Sequence, residues 1–157
     1  MMKTIRLLLV ALSISLISCQ DEVIHPYEGD YLVFGNFYGE CLEECVSTFR
    51  LEENRLIKDT QAQRIGQSVN FEKNPQVLSQ DNFELAQELL TIFPSQLLTE
   101  SDSTFGCPDC YDQGGLYIEY QQGDEQGVWI IDQTQEDVPA YLHEFMDRVN
   151  ETIQLLQ

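Results

Sequence analysis

The chain predicts an α+β fold: an antiparallel sheet of about four to five strands with two helices packed on it. Three observations lead there. Short β-rich apolar runs bounded by turn residues recur in the first half and again after residue 115. Two segments carry apolar residues at helical spacing, one mid-chain and one at the C-terminus. The order of strands, helix, hairpin, helix does not alternate strictly, which disfavours a parallel βαβ sheet.

Tyr31-Leu32-Val33-Phe34 opens the first strand, with Gly35 and Gly39 as punctuation. Val46 to Leu51 reads as the second, placing Phe49 and Leu51 on one face. Glu52-Glu53-Asn54 turns the chain, and Leu56-Ile57 returns as a short partner. Residues 59–80 are polar, with Val69 and Phe71 the candidates for a further strand. The first helix spans Asp81 to Phe93, with Phe83, Ala86, Leu89, Leu90 and Phe93 on one face. Ser79 or Asp81 can cap its exposed N–H groups, and Pro94 ends it. Leu116 to Tyr120 and Val128 to Asp132 form a hairpin across the Gly123–Gly127 region, with Trp129 as a core anchor. The last helix begins at Pro139, a favoured first-turn residue. Its stripe of Leu142, Phe145, Met146, Val149, Ile153 and Leu156 is the face that covers the sheet.

The N-terminus has a different character. Lys3 and Arg6 precede an apolar run from Leu7 to Ile17, too short for a spanning helix, which needs about 20 apolar residues. Length and flanks are those of a secretory signal. The run closes on Leu16-Ile17-Ser18-Cys19, which resembles a bacterial lipobox. The resemblance implies cleavage before Cys19 and diacylation of its thiol, with palmitate-type chains holding the mature protein to a membrane. The competing reading is an ordinary signal cleaved nearby, with Cys19 a spare thiol. The chain thus divides into three parts: signal peptide 1–18, lipidated N-terminus and tether 19–30, and one domain 31–157. The tether mixes charge with Pro26 and Gly29 and reaches at most about 35 Å from the membrane. Gln20 rather than Asp at the second mature position resembles the pattern of outer-membrane sorting. Asp21-Glu22 resembles the surface-export signal of Bacteroidetes-type lipoproteins.

Net charge is −19, and removing residues 1–18 takes away Lys3 and Arg6 but no acid, deepening it to −21. Such a surface repels phosphate backbones, so nucleic acid is not the expected partner. The acids are scattered, which suits solubility beside a like-charged cell surface; attraction of a cationic partner is the functional alternative.

Once Cys19 is lipidated, Cys41, Cys45, Cys107 and Cys110 remain, in Gly39-Glu40-Cys41-Leu42-Glu43-Glu44-Cys45 and Gly106-Cys107-Pro108-Asp109-Cys110. Four cysteines allow three pairings, and sequence does not choose among them. One reading is two structural disulfides, favoured by the export route. A crosswise pairing would close a long loop and contribute about 4 kcal/mol. A second is a zinc site of four thiolates, for which C-x3-C and C-x2-C are ordinary ligand spacings. A third is a redox pair at Cys107 and Cys110. The adjoining Tyr111-Asp112-Gln113-Gly114-Gly115 reads as a turn into a strand rather than the helix N-terminus that lowers a thiol pKa.

Of the two histidines, His25 lies in the tether and His143 beside the last apolar stripe, neither at a recognisable catalytic spacing. Asp102, Asp109, Asp112 and Asp124 could supply calcium oxygens but match no loop template. No nucleophile elbow, phosphate loop, zincin or EF-hand pattern is present, and no pair of acids stands out for glycoside chemistry. Gly35, Tyr38-Gly39, the cysteine pairs and Cys107-Pro108-Asp109-Cys110-Tyr111-Asp112-Gln113-Gly114-Gly115 together resemble small uncharacterised outer-membrane lipoproteins of Bacteroidetes type. The resemblance implies location and fold, and no activity. The expectation is a non-enzymatic binding or accessory module of the cell envelope without a cofactor. It would be held to the membrane by its lipid and partnered by an envelope protein.

Overall fold

A computed structural model describes residues 29–39, 45–59, 71 and 75–157. Two helices pack on a seven-stranded sheet of order β4-β3-β2-β1-β6-β7-β5. The strands are β1 Tyr31–Phe37, β2 Val46–Glu52, β3 Leu56–Asp59, β4 Pro75–Val77, β5 Thr104–Phe105, β6 Gly115–Gln122 and β7 Glu125–Asp132. The helices are α1 Gln80–Thr91 and α2 His143–Leu156. The α+β class stands, but the sheet exceeds the expected four to five strands and is mixed, because β5 runs parallel to β7. The two extra strands are three and two residues long, too short to leave a period-2 pattern.

β1 is the centre of the sheet. All seven of its residues pair with β2 on one side and β6 on the other, both antiparallel. Gly35 lies inside β1 rather than ending it. A Cβ there would come within 2.3 Å of the Ser47 carbonyl oxygen, so a close approach of β2 is what demands glycine. The β6–β7 hairpin turns on Gly123 and Asp124 alone. Gly123 carries φ +57° and Asp124 does not share a positive φ, the pattern of a II′ turn with glycine first.

One face of the sheet forms the main core. Leu32, Phe34, Phe49, Leu51, Leu116, Ile118, Trp129 and Ile131 meet Phe83, Ala86 and Leu89 of α1 and the buried stripe of α2. All six residues of the expected C-terminal stripe are buried. A 3-10 turn, Ala140–Leu142, intervenes between Pro139 and α2, so the helix proper starts later than expected. Ser79 caps α1 by accepting from Asn82 N at 3.3 Å. Two residues of the first stripe depart from expectation. Phe93 lies beyond the helix end and stacks on Tyr120 at 4.2 Å, while Leu90 is 44% exposed.

The other face holds a smaller cluster of Val33, Ile57 and Phe71, with Tyr31 and Tyr117 packed against it. Phe71 sits in a turn rather than a strand, and Val69 lies outside the described residues. Arg50 and Glu52 on β2 are buried under this cluster. Arg50 lies 4.5 Å over the Tyr31 ring, and Glu52 ion-pairs with Arg50 at 3.2 Å and with Arg55. Among the described residues no helix is long and apolar enough to cross a membrane.

Candidate functional site

Antiparallel pairing sorts the loops to two ends of the sheet. The C-terminal end of β1, the start of β2 and the start of β6 bring the cysteine segments together. The start of β1, the end of β2 and the β6–β7 turn gather at the opposite end, where the chain from the N-terminus arrives.

At the cysteine end, Cys107 and Cys110 form a disulfide with Cα atoms 5.6 Å apart, inside the ordinary range. Cys45 is disulfide-bonded as well, and its carbonyl accepts from Tyr38 N at 2.9 Å. Cys19, Cys41 and His25 lie outside the described residues. The crosswise pairing is therefore corrected: Cys107 closes on Cys110, four residues end to end, because the loop turns back on itself before entering β6. The segment directly after the pair leads into β6 and not into a helix, as the sequence suggested.

Two carboxylates shape this loop. Asp132, at the end of β7, is 1% exposed. Its Oδ2 accepts from Cys107 N at 2.8 Å, and its Oδ1 from Gln113 Nε2 at 3.0 Å and Thr134 N at 2.8 Å. Burial alone would push its carboxyl up. The donors Gln113, Thr134 and Cys107 outweigh that, and the group sits below the ordinary carboxylate value. Asp109 accepts from Gly39 N at 2.7 Å and from Gly114 N at 2.9 Å, so it ties the loop to the hairpin that carries Cys45. Asp109 and Asp112 both adopt positive φ, at 61° and 60°, a conformation that aspartate tolerates better than most residues. Cys107, Cys110 and Tyr111 are exposed, Tyr111 at 86%.

Among the described residues no three His, Cys, Asp or Glu side chains gather to hold a metal ion. Asp109 and Asp112 lie at the cysteine end, whereas Asp124 sits in the β6–β7 turn at the far end, so the four calcium candidates are not brought together. His143 begins α2 with Nε2 3.2 Å from the Val138 carbonyl oxygen, a structural position.

Two features escaped the sequence reading. The first is a polar knot on the minor face, where Glu119 accepts from Tyr31 Oη at 2.6 Å and Tyr117 Oη at 2.8 Å. Burial, with the Glu119 carboxylate, pushes both phenols well above the usual tyrosine value. The alternation of Tyr117 and Glu119 on β6 was the available signal. The second is a cleft of about 380 Å³ at the end opposite the cysteines, between the start of β1, the end of β2 and α1. Exposed Leu90 lies in its lining, which explains why this residue left the core stripe.

No family model matches the chain, and no curated protein matches it.

Proposed function

We propose that this protein is a lipid-anchored lipoprotein of the outer-membrane envelope that acts as a non-enzymatic binding or accessory module, with its cysteine pairs serving structure. The observation that carries this reading is the lipobox-like Leu16-Ile17-Ser18-Cys19 at the end of a charged and then apolar leader. The Cys107–Cys110 disulfide supports it, because such bonds persist in the oxidising compartments to which a leader delivers a chain. Asp109, Asp132, Glu52 and Glu119 each hold several donors of the fold, a structural employment for carboxylates. Two or three acyl chains on Cys19 would hold the domain permanently, since one chain alone binds only marginally.

The test is detergent phase partitioning and intact mass of wild type and Cys19→Ala. Wild type should enter the detergent phase with a diacylglyceryl-sized mass increment and a mature N-terminus at Cys19. A wild-type chain without the lipid increment, or Cys19→Ala cleaved at the same bond, would sink the reading.

A second reading is thiol–disulfide exchange at Cys107 and Cys110, favoured by the exposure of both. It requires a thiol titrating well below the free-cysteine value of about 8.5. Alkylation rate of the reduced loop against pH decides it. The same reduced and unreduced samples, weighed under native conditions, report any zinc held by the thiolates in place of disulfides.

A further inference from the structure

The cleft opposite the cysteine end has a lining of mixed chemistry. Leu90 and Tyr120 supply apolar surface over the buried Leu32 and Leu51, and Asp30 and Glu53 supply carboxylates. Its volume of about 380 Å³ lies at the small end of the range for small-ligand sites. Leu90 stands out as a large apolar side chain left 44% exposed on a helix whose other stripe residues are buried. No Lys or Arg is among the described lining residues. Glu52, also in the lining, is answered by Arg50 and Arg55, but Asp30 and Glu53 take part in no ion pair among the described residues. Asp30 keeps its place by accepting from Gly123 N at 2.9 Å through Oδ1, which leaves Oδ2 available. The local field is negative: the Tyr120 phenol is held up by burial and then by Glu125 and Asp30.

We propose that this cleft binds an organic ammonium ion carried on a hydrocarbon stem, the stem lying against Leu90 and Tyr120 and the cation facing Asp30 and Glu53. The proposal rests on the binding-module reading and names its ligand chemistry. An alkylammonium matches both halves of the site, because a buried stem with a wet charged head is the arrangement long cationic chains adopt. A lysine side chain of a partner protein and a free diamine share this chemistry.

The probe is hexylammonium, titrated into the isotopically labelled mature chain carrying Cys19→Ala so that no detergent competes. The amide resonances of Asp30, Gln87, Leu90 and Gln121 should shift and saturate. Neutral hexanol should bind more weakly, and added salt should weaken hexylammonium. Lengthening the stem from butyl to hexyl should strengthen binding by at most about fourfold per methylene. Asp30→Asn with Glu53→Gln should weaken binding about tenfold, the scale of two partly exposed ion pairs. Asparagine keeps the acceptor for Gly123, so melting should be unchanged. Leu90→Gln should remove the chain-length dependence while leaving the fold intact. A lysine-containing peptide binding more tightly than a free diamine points to a protein partner, the reverse to a polyamine, and either supports the site. Failure of every ammonium probe to give saturable shifts overturns the proposal, as does hexanol binding equally well. Neither result bears on the anchor, and an unlipidated Cys19 would leave the cleft result standing.

Discussion

Replacing Asp132 by asparagine should cost about 2 kcal/mol at neutral pH and remove the pH dependence that this carboxylate contributes. Asparagine can keep the oxygen that accepts from Gln113 and Thr134, but it places an NH2 group where Oδ2 now accepts from Cys107 N at 2.8 Å. Losing a hydrogen bond to a charged acceptor costs about 1.5–3 kcal/mol. The two surviving bonds fall to neutral strength, about 1 kcal/mol each. Cys107 is exposed, so water recovers part of its N–H and brings the sum down to about 2 kcal/mol. For a domain of this size that is a fall in melting temperature of about 6–8 °C. The native carboxyl lies below its ordinary value of 3.8, so its stabilisation is complete above that value. It is lost as pH falls through the lower native value, because there the folded state must take up the proton that the unfolded chain has already bound. Urea unfolding of oxidised wild type and Asp132→Asn should therefore differ at about pH 7 and converge as the pH is taken below the ordinary value of 3.8 and on through the lower native one. Equal stability at neutral pH, or a gap that persists undiminished in acid, would refute the reasoning.

Thr152 on α2 is fully buried, and its Oγ1 has no hydrogen-bond partner among the described residues. Thr152→Val exchanges that hydroxyl for a methyl of the same shape and should stabilise by about 1 kcal/mol, read as a higher urea midpoint with unchanged slope. Cys107→Ser with Cys110→Ser opens a four-residue loop and should cost about 2 kcal/mol, half of what a crosswise bond would have supplied; a loss near 4 would mean the sulfurs close a longer loop. In a spectrophotometric titration Tyr31 and Tyr117 should ionise last, well above pH 10, with Glu119→Gln bringing them down. Because their native values are raised, the stability they contribute is present below the ordinary tyrosine value of 10.0 and is lost as pH rises beyond it.

How much of this was legible in the sequence differs by element. The stripe from Leu142 to Leu156 declared its helix and its buried face, since six apolar residues at helical spacing leave one solution. The hairpin from Leu116 to Asp132 and the anchor Trp129 were equally plain, because alternation over long strands is a strong signal. β4 and β5 were not readable, because two or three residues carry no period. Glu52 reads as the start of a turn, and nothing in the residue names marks Arg50 as buried; the second cluster around Phe71 covers both, which is a tertiary fact. Leu90 shows the opposite case, with correct spacing on the helix but a position that lines a cleft. The cysteine pairs were visible at once as candidates, but whether a sulfur meets its near or far neighbour depends on how the loop turns. Between Cys107 and Cys110 the chain turns with Asp109 at positive φ and Cys110 N bonded back to the Cys107 carbonyl, and the residue names do not announce it. Asp132 carried no motif, though an acid two residues before Thr134 at a strand end is the local pattern of an Asx turn.

β1 also sets the path that mechanical load would take. The chain arriving from the N-terminus enters directly into this strand, and Asp30 is fastened there to the β6–β7 turn. A pull along the strand axis reaches both hydrogen-bond ladders of β1 at once, seven paired residues on each side, and loads them in shear rather than peeling them one by one. The short edge strands β4 and β5 lie off that line, at the outer margins of the sheet. A domain tethered at this end would yield to force as a single event rather than fraying from an edge.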